Sequence, residues 1–566
     1  MRRKSSWEQG AIKKRWTGKI SIALLFPNVY AVGMSNLGMQ VLYGLLNSYE
    51  QIVAERFFVP ESKDISTEWR SIESNNLLSA FDFILSSISF ETDYVNIVRA
   101  LASAGIPLRA ESRDKSDVFV FGGGVATIIN PEPIAPFLDA VFLGEAECMM
   151  PELVKILPAL LDSKTTRQTR LEYLLDHVPG TYITNAYFPQ FNSKKGFEGF
   201  ETADSYPMPV VPAKSAILSG TVPHSQIISC DAAFSNMFLM EVTRGCGKGC
   251  RFCAAGFVYR PPRAWPIEAL ESTISNLPPN TSVGLVGLES AGNKELEQLF
   301  KRMVAKGLHL AFSSLRADAL SEDFIKLMTS SGTKTATIAP EAGSLRLRRA
   351  INKHLTDSDI VRAAHLLLEA GIENIKLYFM IGLPTEELSD IEALIGLVEK
   401  IRLIALKIGK RRGHLGRIII SVNSFVPKAW TPFQWADVPK QSQFKKIQRI
   451  ISKDIRQMPN VDLHMETGKR WRTQAVLSRG DRRLAPVLES VALENMGFYP
   501  ALKKAGLSED DFLTGYSTDQ DLPWEIVGHK VKRDFLISEW EKAHQNIESP
   551  FCIPGKCKRC GVCTGR

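Results

Sequence analysis

Residues 241–256 read EVTRGCGKGCRFCAAG and put Cys246, Cys250 and Cys253 on one short stretch. Glycines at 245, 247 and 249 separate the first thiols. Glycine tolerates positive φ and leaves room for close approach, so such a loop can wrap a bulky group. Lys248 and Arg251 add positive charge against thiolates. Three thiols without a nearby fourth soft ligand suit an iron–sulfur cluster with one iron left open. A structural zinc site takes four closed ligands instead. Unrelated cysteines rarely gather at this spacing between a strand and a helix.

The stretches around this loop set the fold. After residue 236, short apolar runs alternate with amphipathic stretches of helical length, the rhythm of parallel βα units. Strands are expected at 237–242, 283–286, 308–312, 335–338, 375–380 and 417–422, with helices between them. Six βα units predict a partial (β/α)6 barrel of TIM type, spanning 237–457. The cysteine loop then follows the first strand, at the strand carboxyl end where such barrels place their active sites.

Cys246-x3-Cys250-x2-Cys253, with Phe252 just before the last cysteine, resembles the signature of the radical S-adenosylmethionine (radical SAM) superfamily. The resemblance implies a [4Fe–4S] cluster on these three cysteines and S-adenosylmethionine (SAM) at the open iron. It also implies reductive cleavage to a 5′-deoxyadenosyl radical, and an electron donor such as flavodoxin or ferredoxin. Polar residues past the other strand ends are the expected SAM contacts. GLESAG (287–292) loosely matches the family's Gly-Gly-Glu-like segment and nominates Gly287 and Glu289. SSLRAD nominates Ser314 and Arg316; APEAGSLRLRR nominates Glu341, Ser344 and Arg346, with Gly343 opening a helix whose N-terminus suits a carboxylate. GLPTEE (382–387) resembles a segment common in the superfamily's cobalamin-associated branch.

Residues 1–177 also read as βα units, a doubly wound, Rossmann-like sheet with its crevice at the strand carboxyl ends. FGGGVATIINPEP (121–133) and DAVFLGEAE (139–147) are similar to cobalamin-binding-type domains fused to radical SAM barrels. Gly122–Gly124 is expected to let backbone approach a flat ligand. The histidine that such domains offer to cobalt is missing, since the first histidine of the chain is His177, which leaves two expectations: cobalamin held without a protein ligand, or a domain that serves as scaffold or substrate platform. Residues 178–236, rich in Pro, Gly and Ser, read as a linker.

A mostly helical region is expected over 458–566. It ends in Cys552, Cys557, Cys560 and Cys563, a complete set for a second [4Fe–4S] cluster or a zinc ion. The whole pattern resembles an uncharacterised group of radical SAM proteins with a cobalamin-type domain and a four-cysteine tail. Related branches make methyl or sulfur transfer the leading expectations, on an RNA, protein or small-molecule substrate. The competing expectation is a metal-bearing RNA-binding module with an inactive barrel. The net charge of +8 over 566 residues is modest, and runs such as KIGKRR (407–412) read as solvated surface. No apolar run reaches the length of a membrane span and no secretory h-region follows the basic start, so a cytoplasmic protein with reduced thiols is expected.

Overall fold

Apolar runs too short for helices become strands in both halves of the chain. The computed structural model describes residues 8–61, 67–192, 196–287, 292–466 and 468–563. Its contacts divide into two units. The first contains Met1–Ile217, Pro223–Met237 and Thr473–Lys530; the second contains Leu218–Val222, Phe238–Arg472 and Val531–Arg566.

In the first unit, β1 (Ile20–Leu25), β2 (Ile52–Phe57), β3 (Phe83–Ser87), β4 (Phe119–Gly123), β5 (Ala140–Phe142) and β6 (Thr181–Ile183) form one sheet. Their order is β2-β1-β3-β4-β5-β6, parallel throughout except for β6. β1 (ISIALL) is buried at five consecutive positions, as a parallel strand covered on both faces must be. Phe83, Phe119 and Phe121 stack across β3 and β4 with centroids 5.7–6.2 Å apart. The doubly wound expectation holds, and β6 extends the sheet into the stretch expected as linker.

The second unit holds β7 (Met237–Glu241), β8 (Ser282–Val286), β9 (His309–Phe312), β10 (Thr335–Glu341), β11 (Asn374–Ile381), β12 (Ile418–Ser424) and β13 (Val461–Met465). The order is β7-β8-β9 in one ladder and β10-β11-β12-β13 in the next. A parallel bridge between Leu315 and Ile338 links them. Along β11, Ile375, Leu377, Phe379 and Ile381 are buried, while Lys376, Tyr378 and Met380 occupy the other, more open face.

Six strands are expected here and seven are found. β13 pairs parallel to β12 from Ile418–Val461 to Val422–Met465. Its sequence, VDLHM, lies at the sheet edge and is only half-buried, so it lacks the apolar run that betrays an interior strand. The region expected as one helical block, 458–566, therefore begins with a strand and is shared between the two units. No helix among the described residues is long and apolar enough to cross a membrane.

Candidate active site

β7 leads directly into the cysteine loop. Thr243–Arg244 pairs antiparallel with Arg263–Ala264, which pinches residues 245–262 into a closed excursion. Gly245 sits at φ +82°, and a Cβ there would stand 2.6 Å from the Tyr259 carbonyl oxygen, so the turn requires glycine. The loop ends in a short helix, α1 (Ala255–Val258).

Cys246, Cys250 and Cys253 are free and half-buried. The Lys248 amide approaches Cys246 Sγ at 3.5 Å, and the amides of Gly256 and Ala255 donate to Cys253. Burial, with the charge of Cys250, pushes the Cys253 thiol up to about 11. Thiolates here therefore require compensating positive charge. Arg316 and Lys353 supply it, since both lie within the electrostatic reach of Cys250. Arg251, the cation that the sequence sets among the thiols, turns inward. Its guanidinium donates to Glu539 at 3.0 and 3.2 Å, to the Ala350 carbonyl at 2.8 Å and to the Ile547 carbonyl at 2.7 Å. Asn352 donates to the carbonyls of Lys248 and Gly249, which fixes the loop from the other side.

Among the described residues, no group of three or more His, Cys, Asp or Glu is drawn together as a metal-ion site. A cluster that takes one thiolate per iron spreads its ligands wider than a single ion does. The donor set fits such a cluster: three free thiols, amides directed at sulfur, and cations nearby.

A cavity of about 450 Å³ opens beside the loop, lined by residues including Thr243, Gly245, Lys248, Ser314, Arg316 and Cys552. Of the expected SAM contacts, Ser314 and Arg316 line this cavity. Arg316 also holds Asp318 through two bonds of 2.8 and 2.9 Å. Gly287 is required by strand packing, because a Cβ there would meet Thr243 Oγ1 at 2.5 Å. Glu289 lies outside the described residues. Glu341 ends β10 at φ +68° and accepts from Lys353 Nζ at 3.1 Å.

Ser344 and Arg346 do not line the cavity; their side chains are engaged elsewhere. Ser344 caps α2 (Leu345–Ala350), accepting from Leu347 N at 3.0 Å, and donates to Asp390. Arg346 donates to Asp390 and to the Thr385 carbonyl. Asp390 belongs to α3 (Leu388–Arg412). Asp390 thus binds the side chains of Ser344 and Arg346, while the Leu347 amide is taken by Ser344 itself. Phe252 packs with Met380, Phe425 and Phe433 in an apolar cluster.

The C-terminal segment is tied to the cysteine loop. After a helix at Gln441–Ile455 (α4) and another at Arg533–His544 (α5), the Cys552 amide donates to the Gly247 carbonyl at 2.7 Å. Lys248 Nζ lies 4.1 Å from the Phe551 ring centroid, and His354 packs edge-on against the same ring at 4.5 Å. Cys560 is buried, and its carbonyl accepts from the Lys532 amide at 2.9 Å. Burial raises the Cys552 thiol to about 11 against the nearby Arg260, and Cys557, Cys560 and Cys563 add to the rise. The Cys552 thiol therefore lies within electrostatic reach of the other three. Lys353, Asn352, Asp390, Glu539 and Phe551 escaped sequence reading, because no motif marks them and folding alone creates their partnerships.

In the first unit, loop side chains hydrogen-bond to one another at the crevice. In a sheet of order 2-1-3-4-5 the ligand site is the switch point between β1 and β3. There Asn28 donates to Asp93 at 2.9 Å, Asn96 to the Pro27 carbonyl at 2.9 Å, and Asn36 to Ser89 Oγ at 3.0 Å. A Cβ at Gly124 would meet the Ile88 carbonyl oxygen at 2.4 Å, and one at Gly122 would meet Leu138 at 2.6 Å. These glycines make room for the chain itself. Past β4, Asn130 donates to the carbonyls of Ser478 and Gly480, Glu132 pairs with Arg482, and His529 reaches the Ile128 carbonyl at 2.8 Å.

Residues 38–184 match the family described as "Radical SAM proteins, N-terminal", and residues 240–398 match the "Radical SAM superfamily". An uncharacterised protein of Methanocaldococcus jannaschii is 29% identical over 474 residues, covering 83% of this chain and 90% of that one. Among solved structures, the cobalamin-dependent SAM radical enzyme OxsB with aqua-cobalamin bound is 16% identical over 67% of this chain, with a TM-score of 0.43. That match spans about half of the OxsB chain, 52%. Methylornithine synthase is 12% identical over 48% of this chain and 83% of its own, with a TM-score of 0.29. With the cysteine loop at the end of β7 and both domain families matched in chain order, this chain belongs to the radical SAM superfamily.

Proposed function

We propose that Cys246, Cys250 and Cys253 hold the superfamily's [4Fe–4S] cluster and that the adjoining cavity receives SAM beside Ser314 and Arg316. The protein is an enzyme of SAM-dependent radical chemistry. The observation that carries the assignment is the set of three free thiols on one loop, whose Gly245 and Lys248 line a cavity together with Ser314 and Arg316. When bound, the cluster supplies the electron that splits SAM into methionine and a 5′-deoxyadenosyl radical, which takes hydrogen from substrate. The chain's own contribution is placement and charge. Lys353 and Arg316 offset the thiolates, Asn352 and buried Arg251 fix the loop, and the C-terminal segment walls the cavity through Cys552.

Cys552, Cys557, Cys560 and Cys563 form a second metal centre in this proposal, read as a [4Fe–4S] cluster. The first unit serves as a scaffold without cobalamin. Its switch point is bridged by side chains, its glycines are filled by Ile88 and Leu138, and segment 473–530 covers the loop after β4. No step is therefore routed through a corrin. Flavodoxin or ferredoxin is the proposed electron donor.

Iron and sulfide analysis of anaerobically reconstituted protein tests the two centres. Wild type should bind two clusters' worth of iron. Cys250→Ala and the double variant Cys552→Ala/Cys557→Ala should each lose one. If the tail variant keeps its iron and loses zinc, the second centre is zinc. If Cys250→Ala keeps full iron, the site assignment fails.

A further inference from the structure

Two of the four cations in the basic run that stands out in the sequence, KIGKRR, are occupied within the fold. Arg411 pairs with Glu369, and Arg412 donates to the Leu368 carbonyl. The cations that line an open concavity lie elsewhere, on α4. Lys445, Arg449, Lys453 and Arg456 are exposed, and none has an ion-pair or side-chain hydrogen-bond partner among the described residues. At 3.6 residues per turn the four fall within an arc of about 80°, and they extend about 17 Å along the helix. They form one wall of a groove of about 920 Å³. Ser421 and Asn423 of β12 and His464 of β13 line the rest, with Glu466 as the acidic group on its wall.

We propose that this groove docks a single strand of nucleic acid through its phosphates and leads it to the candidate active site. Successive cations stand about 6 Å apart along α4, a pitch suited to successive phosphates. A lone carboxylate or phosphate would engage one or two of them and leave the rest unanswered. The basic wall carries no exposed apolar side chain that could insert into a bilayer. The inner end points in a useful direction. Ser421 and Asn423 stand in register beside Tyr378 and Met380 of β11, and Met380 packs in the cluster that contains Phe252, next to Cys253. The face shared by β12 and β11 thus runs from the groove toward the apolar cluster beside the cysteine loop. The destination rests on the radical SAM assignment; the docking does not.

The test uses the full-length, anaerobically reconstituted protein and fluorescence anisotropy of a labelled single-stranded RNA oligonucleotide. Four phosphate contacts predict a log–log salt slope of about −2.8, hence about fifty-fold weaker binding at 200 mM than at 50 mM salt. Arg449→Gln/Lys453→Gln should bind at least about tenfold more weakly, with a slope shallower by about 1.4. Lys410→Gln/Arg411→Gln should bind as wild type does. A DNA strand of the same sequence should bind within a few-fold, because phosphates carry the contact. Wild-type affinity and slope in Arg449→Gln/Lys453→Gln would overturn the proposal. So would binding to phosphatidylserine vesicles with none to RNA. Deoxyadenosine formation from reduced protein and SAM alone, measured in parallel, should be unchanged in that variant. RNA binding without deoxyadenosine would sustain the docking and sink the radical SAM assignment; deoxyadenosine without RNA binding would do the reverse.

Discussion

Arg251 lies between two of the three thiols in sequence and is fully buried in the structure, bound to Glu539. Truncating one partner of a buried, hydrogen-bonded pair strands the other charge. Arg251→Ala should therefore cost about 3–5 kcal/mol in urea unfolding and release iron with it. Arg251→Lys should rescue little, since a single ammonium cannot reach Glu539, Ala350 and Ile547 together. A second prediction concerns Glu386 in GLPTEE. Burial raises its carboxyl to about 7 from the ordinary 4.5, and Oε2 is buried with no hydrogen-bond partner in the fold. The native state holds that proton more tightly than the unfolded chain. This contribution to stability is complete below pH 4.5 and lost as pH rises through about 7. Wild type should lose about 3 kcal/mol relative to Glu386→Gln between pH 4.5 and 8. Equal pH profiles for the two proteins would refute it. At this scale the sequence reveals spacing and hides partners. The cysteine triad is legible because its chemistry is written along a few adjacent residues. Lys353 beside Glu341, and Asp390 beneath Ser344 and Arg346, exist only once distant segments meet.

At the scale of elements, periodicity located the interior strands of the second unit and missed its edge strand, β13. β11 alternates buried and half-buried positions, while β13 has no buried position to betray it. The capping role of Ser344 at the α2 N-terminus is local, while its partner Asp390 comes from a different helix and is visible only in the fold. Close packing of α2 against α3 follows from Gly343, where a Cβ would meet Asp390 O and Leu394 N at 2.3 Å. Gly343→Ala should thus cost about 1–3 kcal/mol by pushing the helices apart, read as a lower denaturation midpoint with an unchanged slope. An unaltered midpoint would mean that the contact relaxes freely.

For the whole molecule, the two domain types were readable from motifs, but the use of the first was not. GGG after β4 has the look of a ligand loop, and only three-dimensional packing reveals Ile88 and Leu138 in that space. Protein reconstituted with hydroxocobalamin and desalted should accordingly show no corrin absorbance; a stoichiometric corrin spectrum would refute the scaffold role. The four tail cysteines stand out in the sequence, while the attachment of the tail to the cysteine loop through Cys552 and Gly247 does not. The measurement that bears most directly on the function is anaerobic incubation of the reconstituted enzyme with dithionite and SAM, followed by mass spectrometry. Wild type should release 5′-deoxyadenosine and methionine in equal amounts, and Cys250→Ala should release neither. Deoxyadenosine production that persists in Cys250→Ala, or none from wild type with its iron in place, would contradict the assignment of this loop as the seat of radical chemistry.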